Sequence, residues 1–184
     1  MATAFQDMLV RPRWDLAKRK ADELSAPFSA PPIPALEIAE QQGVDVVFAD
    51  FGDASDQVAG FCDFQAAKLY VNSEDIVQRQ TFTIAHELGH WLLHRQIFEH
   101  DPDKYQIFPR FQEVDRHNPF EKEANHFAAN LLVTMRLLKS VKDAPVSSVA
   151  SAFAVSRSMM EFRLQNVRNK LSRGKFTAVF LIQC

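Results

Sequence analysis

The sequence predicts an α+β domain that ends in a helical segment. Three short β-type runs lie at residues 44–49, 58–64 and 68–71. Two long helical patterns follow, at residues 79–98 and 119–133, and two shorter helical runs come after them. A period of two followed by a period of 3.6, without strict βα alternation, reads as sheet and helices in separate layers.

The 184 residues fit one domain, or one domain with a small appendage. A 47% hydrophobic content with 16 Phe excludes a disordered polymer, and five Gly with nine Pro exclude collagen-like or linker sequence. The net charge of -2 does not point to nucleic acid. The charge is uneven, however. From Arg136 onward nine Lys/Arg face two Asp/Glu, a net of +7, whereas the first 135 residues hold twelve basic and twenty-one acidic residues, a net of -9. The expected division is therefore residues 1–135 and a basic helical segment, 136–184.

Two cysteines, Cys62 and Cys184, form no disulfide framework and fit a reducing compartment. Cys62 sits in an apolar run, as a buried inert thiol would. Residues 1–14 carry Asp7, Arg11 and Arg13 and no apolar signal core, and no stretch reaches the ~18 apolar residues of a membrane span. The expected location is cytoplasmic, without membrane contact.

Residues 14–24 predict a helix with Leu16, Ala17, Ala21 and Leu24 along one side. Four prolines in residues 26–34 make an extended connector. Pro34 can open the next short helix and Gly43 can close it. Turn-rich residues 50–57 and 65–67 separate the β-type runs, so a small, mainly antiparallel sheet is expected. The helix at 79–98 carries Ile84, Leu88, Trp91 and Leu92 on one stripe. Residues 101–118 are polar, aromatic and punctuated by proline, and read as a loop. The helix at 119–133 spaces Ala124, Phe127, Ala128, Leu131 and Leu132 at i, i+3, i+4, i+7 and i+8. Residues 145–153 and 157–171 predict two more helices, and residues 176–182 a last strand.

Residues 86–90 read His-Glu-Leu-Gly-His, which matches H-E-x-x-H. On a helix, i and i+4 share a face, one turn or roughly 6 Å apart. Two imidazoles so placed can converge on one Zn²⁺. His86 and His90 are the candidate ligands, and Glu87, beside the open position, is the candidate general base. Both histidines lie opposite the apolar stripe, so the helix would stand between a core and a cleft.

A hydrolytic zinc takes a third protein ligand. His94 lies about 12 Å from His86 along the same helix and reads as a flanking residue. A third histidine beyond the motif needs a broken helix, and Leu93 stands where a breaking Gly would be. The better candidate is Glu121 on the second helix, with Asn125 on the same face to hydrogen-bond His86 or His90. Glu123 and His126 are rivals, and Glu123 is expected to face solvent. His100 and His117 are expected to be ordinary loop histidines.

Residues 79–90, Arg-Gln-Thr-Phe-Thr-Ile-Ala-His-Glu-Leu-Gly-His, together with Glu121-x-x-Ala124-Asn125-x-Phe127-Ala128-x-x-Leu131-Leu132, resemble the ImmA/IrrE family of metallo-endopeptidases. The likeness covers about residues 30–135. It implies a minimal zincin-like domain, His86, His90 and Glu121 as gluzincin-type zinc ligands, and Glu87 as base. Zn²⁺ is the implied ion, with Mn²⁺ as an option. One departure stands at Val133-Thr134, where the family commonly has Met-Pro.

The resemblance further implies a cytoplasmic protease whose protein substrate is a helix-turn-helix repressor, cleaved to derepress mobile-element or stress-response genes. Residues 149–156 with 157–171 look like a helix-turn-helix, although Ala154 stands where the turn often has Gly. A helical platform is preferred over direct DNA binding, because one basic helix offers few placed cations. The competing function is a non-proteolytic, toxin-antitoxin-like partner that grips a repressor or DNA. The sequence does not give an oligomeric state.

Overall fold

The computed structural model describes residues 11–100, 107–111 and 118–173. Helix α1, Trp14–Ser25, buries Ala17 and Ala21, small residues that let it lie close to its neighbours. The proline connector, with a cis Pro31–Pro32 bond, leads to α2, Ala35–Gln41. Gly43 ends α2 at φ +75°, a backbone region that costs glycine little. There the Gly43 N–H donates to Glu40 O at 3.0 Å and the Val44 N–H to Ala39 O at 3.2 Å.

Strands β1 (Asp45–Ala49), β2 (Val58–Asp63), β3 (Lys68–Asn72) and β4 (Ile107–Phe111) form one sheet in the order β1-β3-β2-β4. β2 runs antiparallel to β3 and to β4, while β1 pairs with β3 in parallel. The expected, mainly antiparallel sheet is therefore present, with one parallel edge. β4 corrects the reading of residues 101–118 as loop throughout. Its Pro109 lacks an N–H, which an edge strand tolerates. One sheet face buries Cys62, Leu69 and Val71. The other stacks Phe61 on Tyr70, centroids 4.7 Å apart.

Helix α3, Val77–His100, crosses the buried face. Gly60 on β2 permits that approach, since a Cβ there would collide with Tyr70 O and with Thr83 Cγ2 of α3. Ile84, Ala85, Leu88 and Trp91 enter the core. The Trp91 indole also donates to Gln42 O at 3.2 Å, which ties α3 to the end of α2.

Helix α4, Pro119–Leu132, opens with the Asn118 side chain accepting from the Phe120 N–H at 2.9 Å and with Pro119 in the first turn. It ends one residue before Val133, and Thr134 then caps α5, Met135–Leu138. At the Val133-Thr134 departure, the Thr134 hydroxyl accepts from the Leu137 N–H at 3.3 Å. Helices α6 (Val146–Ala152) and α7 (Arg157–Arg173) follow. Phe153, which caps α6, and Met160 and Leu164 of α7 join Phe127, Leu131 and Leu132 of α4 in one hydrophobic cluster. Arg163 of α7 is buried and donates through Nη2 to Asn130 Oδ1 at 3.1 Å and Val133 O at 2.6 Å. Residues 176–182, the expected last strand, lie outside the described residues. Among the described residues, no helix is long and apolar enough to cross a membrane.

Candidate metal centre

Helix α3 turns His86 and His90 to the same side, with ring centroids 4.8 Å apart. Their Nε2 atoms stand 3.0 Å from each other. Helix α4 brings Glu121 across from the first turn. Its Oε2 lies 3.2 Å from His86 Nε2 and its Oε1 lies 3.2 Å from His90 Nε2. The close crossing depends on Gly89, whose missing side chain leaves room for Ala124 and Phe127 of α4.

These residues form the metal-capable group of side chains, with one ligand atom from each within 4.8 Å of the others, among the described residues. Tetrahedral bonds of about 2.0–2.1 Å put ligand atoms about 3.3 Å apart. The observed spacings of 3.0 and 3.2 Å match that edge. The chemistry fits as well. Two imidazole nitrogens and a carboxylate bring electron pairs together in a buried place, and only a proton or a cation between them relieves the repulsion. Burial raises the Glu121 carboxyl, but the His90 and His86 imidazoles outweigh it and hold the group well below the usual carboxylate range.

Glu87 is fully buried beside the triad, with Oε1 4.0 Å from His86 Nε2. Asn125, expected to support one of the histidines, accepts from His86 Nδ1–H through Oδ1 at 3.0 Å. That bond leaves His86 Nε2 as the lone-pair face. Glu121 and Asn125 do share a face of α4, as their i, i+4 spacing requires.

The rivals fall elsewhere. His126 packs edge-on against Trp14, centroids 5.0 Å apart. Glu123 does not face solvent: it is wholly buried and bound to Arg13 and His94, which corrects the sequence reading. His94 is also buried, and its Nδ1 lies 2.9 Å from His90 Nδ1. Burial lowers His94 to about 4, against the pull of its Glu123 hydrogen bond. Glu123 is raised by burial but lowered further by its bonds to His94 and Arg13, to about 2. Sequence reasoning missed Arg13 altogether. It lies 110 residues from Glu123, and no local pattern marks such a pairing. His117 and the His100 side chain lie outside the described part.

A peptidase family model, described as the IrrE N-terminal-like domain, matches residues 39–165. The chain belongs to the IrrE N-terminal-like domain family. The resemblance carried by residues 79–90 and 121–132 is borne out, and IrrE-type membership supports a metallopeptidase-like role. The α+β architecture is a small zincin-like domain with a helical segment. Among solved structures, a Mycobacterium tuberculosis transcriptional regulator shares the fold at a TM-score of 0.55 and 14% identity, over 80% of this chain and 45% of that one. The chain thus spans under half the length of that neighbour. No curated protein matches the IrrE-like chain. Its α1 and Arg13 precede the matched segment.

Proposed function

We propose that this chain is a zinc-dependent endopeptidase that cleaves a helix-turn-helix repressor in the cytoplasm. The observation that carries the reading is the buried triangle of His86, His90 and Glu121 with the Glu87 carboxylate beside it. Family membership supports the peptidase part, and the family resemblance supports the repressor part.

His86, His90 and Glu121 would hold the ion. The nitrogen-rich set suits Zn²⁺, with Mn²⁺ as a second option. A bound ion supplies Lewis acidity, which polarises a peptide carbonyl and acidifies water to a pKa near 7. Glu87 acts as the base: it takes a proton from the attacking water and passes it to the departing amide nitrogen. Water is consumed and the peptide bond is split into a carboxylate and an amine.

In this proposal residues 1–135 form the peptidase and residues 136–184 a basic helical platform that docks the repressor. The competing reading is a non-proteolytic partner that grips a repressor or DNA, and the basic charge from Arg136 onward favours it. One incubation separates them. The purified chain is mixed with the repressor encoded next to it and Zn²⁺ or Mn²⁺, and products are read by mass spectrometry. Defined fragments support the peptidase. A stable complex without fragments supports the partner.

A further inference from the structure

We propose that Arg13, Glu123 and His94 form a positioning relay that holds His90 with its Nε2 lone pair facing the metal position. The inference rests on His90 being a ligand, as above, and extends the site to Arg13, which stands just before α1 and precedes the matched family segment.

The chain of contacts is continuous. Arg13 grips Glu123 from three groups: the backbone N–H reaches Oε1 at 2.6 Å, Nε reaches Oε1 at 3.0 Å, and Nη2 reaches Oε2 at 2.7 Å. The same Nη2 donates to Leu93 O at 2.9 Å, which fixes the guanidinium against α3. Glu123 Oε2 lies 3.1 Å from His94 Nε2, and His94 Nδ1 lies 2.9 Å from His90 Nδ1. Glu123, His94 and His90 are all buried.

Proton placement follows from donor and acceptor capacity. Arg13 and Glu123 are one cation and one anion, so their charges cancel. A second cation at His94 would be uncompensated in a dry interior, which is costly. The Glu123 carboxylate only accepts, so a neutral His94 places its proton on Nε2. His94 Nδ1 is then an acceptor. With an ion held at its Nε2, His90 carries its proton on Nδ1 and donates it to His94 Nδ1 at 2.9 Å. Its Nε2 is left as an electron pair, aimed at the corner where His86 Nε2 and Glu121 Oε1 converge. His86 and His90 are thus set by different devices: an amide for one, and an imidazole–carboxylate–guanidinium series for the other.

The test uses the full chain with ¹⁵N-labelled histidine, loaded with Zn²⁺ at pH 8, and reads imidazole protonation by long-range proton–nitrogen correlation. The expected result is His94 protonated at Nε2 and bare at Nδ1, with His90 protonated at Nδ1. A proton on His94 Nδ1, or a bare His90 Nδ1, overturns the relay. A second arm measures Zn²⁺ affinity by chelator competition. Glu123→Gln should weaken it 10–100-fold, the usual effect of losing such outer support, and Glu123→Asp should recover part of the loss. A folded Glu123→Gln chain with affinity within about twofold of the parent overturns the relay, since outer support normally moves it by tenfold or more. Should Glu123→Gln fail to fold, the parent's nitrogen spectrum decides. A parent chain that takes up no Zn²⁺ overturns the ligand reading and the relay together. A parent that binds Zn²⁺ but shows the wrong proton positions overturns the relay alone.

Discussion

Gly89 lies against Ala124: a Cβ at position 89 would stand 3.1 Å from Ala124 Cα and 3.0 Å from the Phe127 ring. Ala124 is one turn beyond Glu121, so this contact sets how far the carboxylate stands from the two imidazoles. Gly89→Ala gains helix propensity, about 1 kcal/mol. The added methyl meets helix backbone, which cannot rotate aside, so α4 must shift by a few tenths of an ångström. The expected result is a net destabilisation of about 1–2 kcal/mol and at least tenfold weaker Zn²⁺ binding, by denaturant midpoint and chelator competition. Unchanged affinity in a folded variant would show that Gly89 does not govern the spacing.

Glu121→Ala removes one corner of the triangle and the negative charge beside two imidazoles. The variant should lose bound zinc on dialysis, read by elemental analysis, whereas Glu123→Gln should retain a weakened site. Glu123 cannot substitute as the ligand while Arg13 and His94 occupy both its oxygens. Stoichiometric zinc in Glu121→Ala would move the third ligand elsewhere.

Glu87→Gln keeps the size of the side chain and removes its basicity. Zinc content should be unchanged, and cleavage of the proposed repressor substrate should fall by about 10²–10⁴-fold, the usual contribution of a positioned base. The comparison is made on metal-loaded protein, so that binding and turnover are read separately. Cleavage at the parent rate would remove Glu87 from the mechanism.

Cys62 is buried under the same helix. Burial pushes its thiol well above the ordinary value, and the Glu87 and Asp63 charges push it further. Little thiolate exists at pH 8, so the group is a poor nucleophile. In a Cys184→Ser background, Cys62 should resist alkylation until denaturant opens the core, monitored by intact mass. Fast labelling of the native chain would contradict its burial.

What the sequence revealed of this site was local. His86, Glu87 and His90 sit in one helical turn, and Glu121 with Asn125 in another, so their shared faces follow from the 3.6-residue period. The apolar stripes that pack α3 and α4 were equally legible. The parallel pairing of β1 with β3 was not, because hydrophobic alternation marks a strand but does not name its partner. β4 was hidden because Pro109 and Arg110 interrupt its pattern, and an edge position forgives both. Glu123 looked solvent-facing because its ion-pair partner, Arg13, lies 110 residues away, just before α1. Buried charge is licensed by pairing, and pairing across the chain leaves no local trace.

Ala154 has φ +53°, in the left-handed region, and closes α6. The Ala154 N–H donates to Ser151 O at 3.1 Å and the Val155 N–H to Ala150 O at 3.1 Å. Gly43 closes α2 with the same pair of bonds, and there the residue is the one that conformation favours. Alanine pays a steric cost at Ala154 of about 1–2 kcal/mol, of which the looser unfolded chain of a glycine variant gives back about 0.4–1 kcal/mol. Ala154→Gly should therefore stabilise the protein by about 0.5–1 kcal/mol and raise its thermal midpoint by roughly 1–4 °C. Calorimetry on the full chain checks this, and an unchanged or lowered midpoint would mean that the turn is not strained. Zinc affinity should stay at the parent value, because α6 contributes no side chain to the triangle.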